Sequence, residues 1–190
     1  MEHLKRVTDE FTRQAQTFAV WAEKVDADVG ARFGSALGKA ASGRLIDVAC
    51  GPGVVTAALA PNAASVVAFD ATAQMLEKAK ARCAKAGLSN VEFKSGDAEN
   101  LPFSDAQFDG AVTRAAVHHF ADPQRAINEM FRVLCPGGTV VTMSFCRRMP
   151  MNRGYTMPSI PRMSACCRHP SLIQMQAAPA FATFKRRPGI

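Results

Sequence analysis

The chain lacks the features that would mark it as a membrane, secreted or metal-scaffold protein. No apolar stretch approaches the length needed to cross a bilayer; a typical one, 54–60, covers about two helical turns. The first residues include Glu2, His3, Lys5, Arg6 and Asp9 rather than an apolar run, so no secretory signal is expected. None of the six cysteines, at 50, 83, 135, 146, 166 and 167, forms a C-x-x-C pair. The adjacent pair Cys166-Cys167 suits neither zinc ligation nor a disulfide framework, so no metal is expected and the thiols read as those of a reduced, cytoplasmic protein. Acidic residues are absent from the last third. All 16 lie within residues 1–130, beside 14 Lys/Arg, whereas 131–190 hold the other 9 Lys/Arg. The net charge of +7 therefore comes from one segment and is no signature of a nucleic-acid-binding domain as a whole.

What is present fits one globular domain: 190 residues, 48% of them hydrophobic. Val7, Phe11, Phe18 and Val25 recur at helical spacing, which predicts an amphipathic helix over about 6–25. A second helix is expected around 29–37, ending at Gly38. Short apolar strands then alternate with helices. Strands are expected at 44–49, 65–69, 91–94, 110–113 and 139–144, and helices at 54–60, 72–86 and 123–134. This alternation predicts an α/β fold, Rossmann-like and doubly wound, with a mainly parallel sheet and helices on both faces. The domain should occupy 1–144, with a helical lid at about 6–40. Residues 145–190 hold six prolines and no consistent period, and read as a basic, irregular tail.

In such a sheet, ligands bind beyond the carboxyl ends of the strands, so the strand-tip loops carry the chemistry. After strand one comes Asp47-Val48-Ala49-Cys50-Gly51-Pro52-Gly53. Gly51 and Gly53 let the backbone turn sharply and approach a ligand. Thr56 stands where the dinucleotide fingerprint has its third glycine, which disfavours an NAD(P)-dependent oxidoreductase. Asp70 ends strand two, where a carboxylate can accept hydrogen bonds from ribose hydroxyls. Strand three leads into Gly96-Asp97-Ala98-Glu99-Asn100-Leu101-Pro102-Phe103; there Asp97 can accept from an adenine amino group and the Ala98 N–H can serve a ring nitrogen. His118-His119 follow strand four and are the candidate acid–base residues.

Taken together and in order, D-V-A-C-G-P-G, V-V-A-F-D, G-D-A-E-N-L-P-F, F-D-G-A-V-T-R and R-V-L-C-P-G-G resemble the class I S-adenosylmethionine-dependent methyltransferases. The similarity covers residues 7–144. It is greatest to the small-molecule branch (type 11) that includes ubiquinone and menaquinone C-methyltransferases. The resemblance implies S-adenosylmethionine as cofactor and a small-molecule methyl acceptor, with no specific nucleic acid and no membrane span. It implies that Gly51 and Gly53 contact the methionine part, with Asp47 supporting its ammonium through the loop. Asp70 would hold the ribose, Met75 would lie near the adenine face, and Asp97 and Ala98 would read the adenine. Arg114 would line the cofactor pocket, and the first helix would cover it with Phe11 and Phe18 facing in.

The family sheet has seven strands, and nothing in 145–190 resembles the last two, so their absence is expected. Two readings stay open for this segment: a genuine basic tail, or a reading frame shifted near codon 145. Either leaves the edge of strand five unpaired, which predicts low stability or aggregation. A non-catalytic remnant of the family is the alternative function. A nucleic-acid methyltransferase is disfavoured because Arg114-Ala115-Ala116-Val117 replaces the Asn/Asp-Pro-Pro-aromatic run typical of the amino-methylating branch.

Overall fold

The computed structural model describes residues 2–24, 28–143 and 181–186, with the side chains of 16–24, 181 and 182 left out. Helices α1 (Glu2–Lys24) and α2 (Val29–Leu37) precede the sheet. Strands β1 (Arg44–Val48), β2 (Ser65–Asp70), β3 (Val91–Ser95), β4 (Phe108–Arg114) and β5 (Leu134–Met143) follow. Between them lie α3 (Val54–Leu59), α4 (Ala73–Lys85) and α5 (Pro123–Arg132). With β6 (Phe181–Lys185), the strand order is β3-β2-β1-β4-β5-β6, and every pair is parallel except β5 with β6. The order reverses beside β1, between β2 and β4, where the carboxyl ends of an open α/β sheet part to admit a ligand.

Period-two alternation along the strands assigns each side chain to a face. Ile46, Val48, Val67 and Phe69 pack with Ala126, Ile127 and Met130 of α5 in one cluster. Leu45, Val66 and Val112 pack with Val29, Phe33 and Leu37 of α2 and Val55 and Leu59 of α3 in another. Both clusters are buried, so the sheet is covered on both sides, as its near-continuous apolar strands require. Local signals set the helix ends. Gly38, at φ 58°, stops α2. Asp122 caps α5 by accepting the Arg125 N–H at 3.0 Å, with Pro123 at the first helical position. No helix of the described residues is long and apolar enough to cross a membrane.

Two expectations are corrected. Residues 181–185 form β6 (Phe181–Lys185), antiparallel to β5 with Thr139 opposite Lys185 and Met143 opposite Phe181. The edge of β5 that the sequence left unpaired is therefore covered, and Phe184 packs against Phe131 at 6.2 Å between ring centroids. The remaining part of the basic segment, 144–180, lies outside the described residues. The second correction concerns β5, which begins at Leu134 rather than at 139. It carries Cys135-Pro136-Gly137-Gly138 as an irregularity: the register passes from Phe108 opposite Leu134 to Gly110 opposite Thr139. Gly137, at φ 85°, donates to Arg186 O at 3.0 Å, so the backbone of β6's end holds this distortion.

Candidate active site

The chain reverses sharply after β1. Ala49 and Gly51 have φ of 56° and 54°, and Gly53, at φ 75°, begins α3. Gly53 is required for close approach as well as conformation, since a Cβ there would lie 2.7 Å from Ala79 Cβ of α4. At Gly51 a Cβ would meet nothing within 4 Å, because the backbone there borders open space. The loop is tied to β2: Cys50 N donates to Phe69 O at 3.1 Å, and Gly51 N to Asp70 Oδ2 at 2.8 Å. Asp70 Oδ1 accepts the Thr72 N–H, also at 2.8 Å. Asp70 is only 8% exposed, and burial pushes its carboxyl above the usual range against the pull of those backbone bonds. The Thr72 side chain is a third donor to it, and the carboxylate keeps lone-pair capacity for a further one.

Asp47 takes another direction. It shares a sheet face with Leu45, so its side chain points to α3, where Oδ2 accepts the Thr56 hydroxyl at 2.6 Å. It is 1% exposed, and burial raises its carboxyl to about 7; the bonds from Thr56 and the charge of Arg114 oppose that shift, while the charge of Asp70 adds to it. Thr56 thus has a structural use of its own.

At the tip of β3, Asp97 Oδ1 accepts the Glu99 N–H at 2.9 Å, and Ala98 is buried beside it. Beyond β4, Ala115 has φ 54° and donates to Met143 O at 2.7 Å. A left-handed alanine costs about 1–2 kcal/mol. Ala49 and Ala115 both carry that strain at strand tips facing the same space, a distribution typical of functional sites. The short turn Val117–His119 follows.

Helix α1 roofs the opening through His3, Leu4, Val7 and Phe11. Phe11 meets the His119 ring edge-on at 4.8 Å, and His3 Nε2 is 2.9 Å from His119 O. Thr12 Oγ1 donates to Gln74 Oε1 at 3.0 Å, linking α1 to α4. Burial, then the charges of His118 and His3, lower His119 to about 4, so its imidazole is neutral at neutral pH. Burial also lowers His118, whose Nδ1 is buried without a hydrogen-bond partner.

These elements enclose one cleft, part of it open to solvent. Of the residues singled out from sequence, Gly51, Asp70, Met75, Asp97, Ala98, Arg114, His119 and Phe11 line it. Asp47, Gly53 and His118 do not: the first faces α3, the second packs on α4, and the third sits behind His119, 4.0 Å from its ring. The side chain of Phe18 lies outside the described residues. Sequence reading missed His3, Leu4, Val7, Glu99, Ala49 and Ala115. For His3, Leu4 and Val7 the helical spacing with Phe11 was the available signal; nothing in sequence marks an alanine for positive φ.

A Rossmann-like sheet whose first three tips present a glycine loop and two carboxylates to one cleft is a nucleoside-binding architecture. The chain belongs to the methyltransferase domain family, whose profile matches residues 46–142. It is 36% identical over 149 residues to a demethylmenaquinone methyltransferase of Clavibacter sepedonicus, covering 77% of this chain and 58% of that one. A crystal structure of a putative methyltransferase from Bacillus halodurans superposes with a TM-score of 0.59 at 36% identity, over 66% of this chain and 53% of its own. A putative S-adenosylmethionine-dependent methyltransferase from Methanococcus maripaludis gives 0.64 at 26% identity, over 70% and 63%. The chain spans about half the length of the curated relatives it matches. S-adenosylmethionine is the cofactor expected of this family, and the cleft's lining fits it: Gly51 leaves open space, and Asp70 and Asp97 stand at the two tips a nucleoside would bridge.

Proposed function

We propose that this protein transfers a methyl group from S-adenosylmethionine to a small-molecule acceptor. The sharing of one cleft by Gly51, Asp70 and Asp97 carries this reading. The cofactor supplies a sulfonium methyl, displaced in line as the acceptor's nucleophile forms its bond to carbon and the electron pair of the breaking bond goes to sulfur. The protein's task is then binding and alignment. Asp70, fixed by two backbone N–H groups, offers its remaining lone pairs to the ribose hydroxyls. Asp97 and the Ala98 N–H read the adenine, and Met75 packs on its face. Gly51 admits the methionine part, and Arg114 adds positive charge nearby. Asp47 acts from behind the loop through Thr56, and Gly53 fixes α3 against α4.

The acceptor lies against the β4 tip and α1, whose lining is mainly apolar: Leu4, Val7, Phe11, Ala115, Ala116, Phe120 and Ala121. That surface favours an apolar small molecule over a nucleic-acid backbone, in line with the relative named for demethylmenaquinone. His119 is neutral there and can accept a hydrogen bond from the acceptor; His118 supports its ring. Transfer of radiolabelled methyl from S-adenosylmethionine to a panel of apolar small molecules tests the reading. Labelling of any of them, abolished by Asp70→Ala, supports it; labelling of RNA or DNA alone contradicts it.

A further inference from the structure

The loop after β3 and the segment after β4 are more than twenty residues apart, yet one carboxylate holds both. Glu99 Oε1 accepts the N–H of Ala121 at 2.7 Å and that of Asp122 at 3.0 Å. Its backbone is held in turn: the Glu99 N–H donates to Asp97 Oδ1 at 2.9 Å, and the Glu99 carbonyl accepts Arg125 Nε at 2.9 Å. An unbroken path of hydrogen bonds therefore runs from Asp97, at the nucleoside end of the cleft, to Ala121, two residues past His119. The loop's other ties to α5, such as Leu101 N to Glu129 Oε2 at 2.8 Å, secure its far end and do not reach the β4 segment.

We infer that Glu99 is a positioning residue that couples nucleoside binding at the β3 tip to the placement of the acceptor wall formed by His119 and Phe120. The inference rests on the cofactor assignment above. A nucleoside held by Asp97 and Ala98 restrains their loop; Glu99 passes that restraint to the Ala121 and Asp122 backbone. The brace is already formed without ligand, and a filled cofactor site steadies it and the acceptor wall it holds, which makes cofactor-first binding the productive order. Both accepted N–H groups are near the surface, so the brace contributes little to global stability and its effect falls on the cleft.

The test compares wild type, Glu99→Ala and Glu99→Gln by calorimetric titration with S-adenosylhomocysteine, and by amide exchange of residues 117–122 with and without it. Glu99→Ala should lose about tenfold in affinity, or about 1.4 kcal/mol. Glu99→Gln, which keeps a carbonyl oxygen for both N–H groups, should stay within about twofold of wild type. S-adenosylhomocysteine should slow exchange over 117–122 in wild type and Glu99→Gln but not in Glu99→Ala. Binding to wild type without slowed exchange there overturns the inference alone, whatever the variants do, and so does undiminished coupling in Glu99→Ala. If wild type does not bind S-adenosylhomocysteine, the cofactor assignment falls and the inference with it.

Discussion

Around one cleft, two rims are built on different principles. The β1–β3 tips present glycine backbone and carboxylates clamped by main-chain N–H groups, as Asp70 is by Gly51 and Thr72. The β4 tip and α1 present alanines, aliphatic and aromatic side chains, and His119, held neutral by burial. The first rim suits a ligand of fixed chemistry, because every polar group is pre-oriented before it arrives. The second is bounded by a helix whose described side chains meet the domain at His119 and Gln74, and its apolar lining suits a ligand recognised by shape.

Asp70→Ala tests the contrast most severely. It removes two charge-assisted acceptors and frees the Gly51 loop, so affinity for S-adenosylhomocysteine should fall at least about 100-fold by calorimetry. Asp47→Asn follows. A carboxyl raised to about 7 in the folded state keeps a proton that the unfolded chain has released above about pH 4. Its stabilising contribution is therefore present at low pH and lost as pH rises through 7. Asn retains an acceptor for Thr56 and removes that loss, so the variant should gain about 2 kcal/mol relative to wild type between pH 5 and 8, read from urea midpoints. On the other rim, Phe11→Ala should raise KM for the acceptor about tenfold while leaving cofactor affinity within about threefold. Equal losses of both would erase the distinction between the rims. The smallest effect is on the acid side. Lowered to about 4, His119 contributes stability that is present above pH 6.5 and lost as pH falls through 4. His119→Phe should flatten that part of the melting-temperature profile and leave the alkaline side unchanged.

Legibility in the sequence divides along similar lines. Strands β1 to β4 and helices α2 to α5 stand out because buried parallel strands are short apolar runs bounded by turn residues, as in the run ending at Asp70. Strand β5 is obscured at its start: Pro136-Gly137-Gly138 carries turn chemistry, and only pairing with β4 and β6 makes that stretch part of a ladder. Strand β6 has no strong local signal and owes its state to the free edge of β5. The positions of Asp70 and Asp97 beside the cleft are legible because each comes at the carboxyl end of a strand run. Asp47 was assigned to the right loop, but its direction follows from alternation with Leu45, which turns it toward Thr56 rather than into the cleft. His3, Leu4 and Val7 reach the cleft through the tertiary placement of α1, and no local pattern specifies which groove an apolar helix face will cover.

We propose above that the β1–β3 tips hold the nucleoside of S-adenosylmethionine. A crystal structure of the protein with S-adenosylhomocysteine addresses it directly. The ribose hydroxyls should lie within hydrogen-bond distance of Asp70 and the adenine between Met75 and Asp97, with the thioether facing the β4 tip. Ligand bound elsewhere, with Asp70 contacting only Gly51 and Thr72, would contradict it.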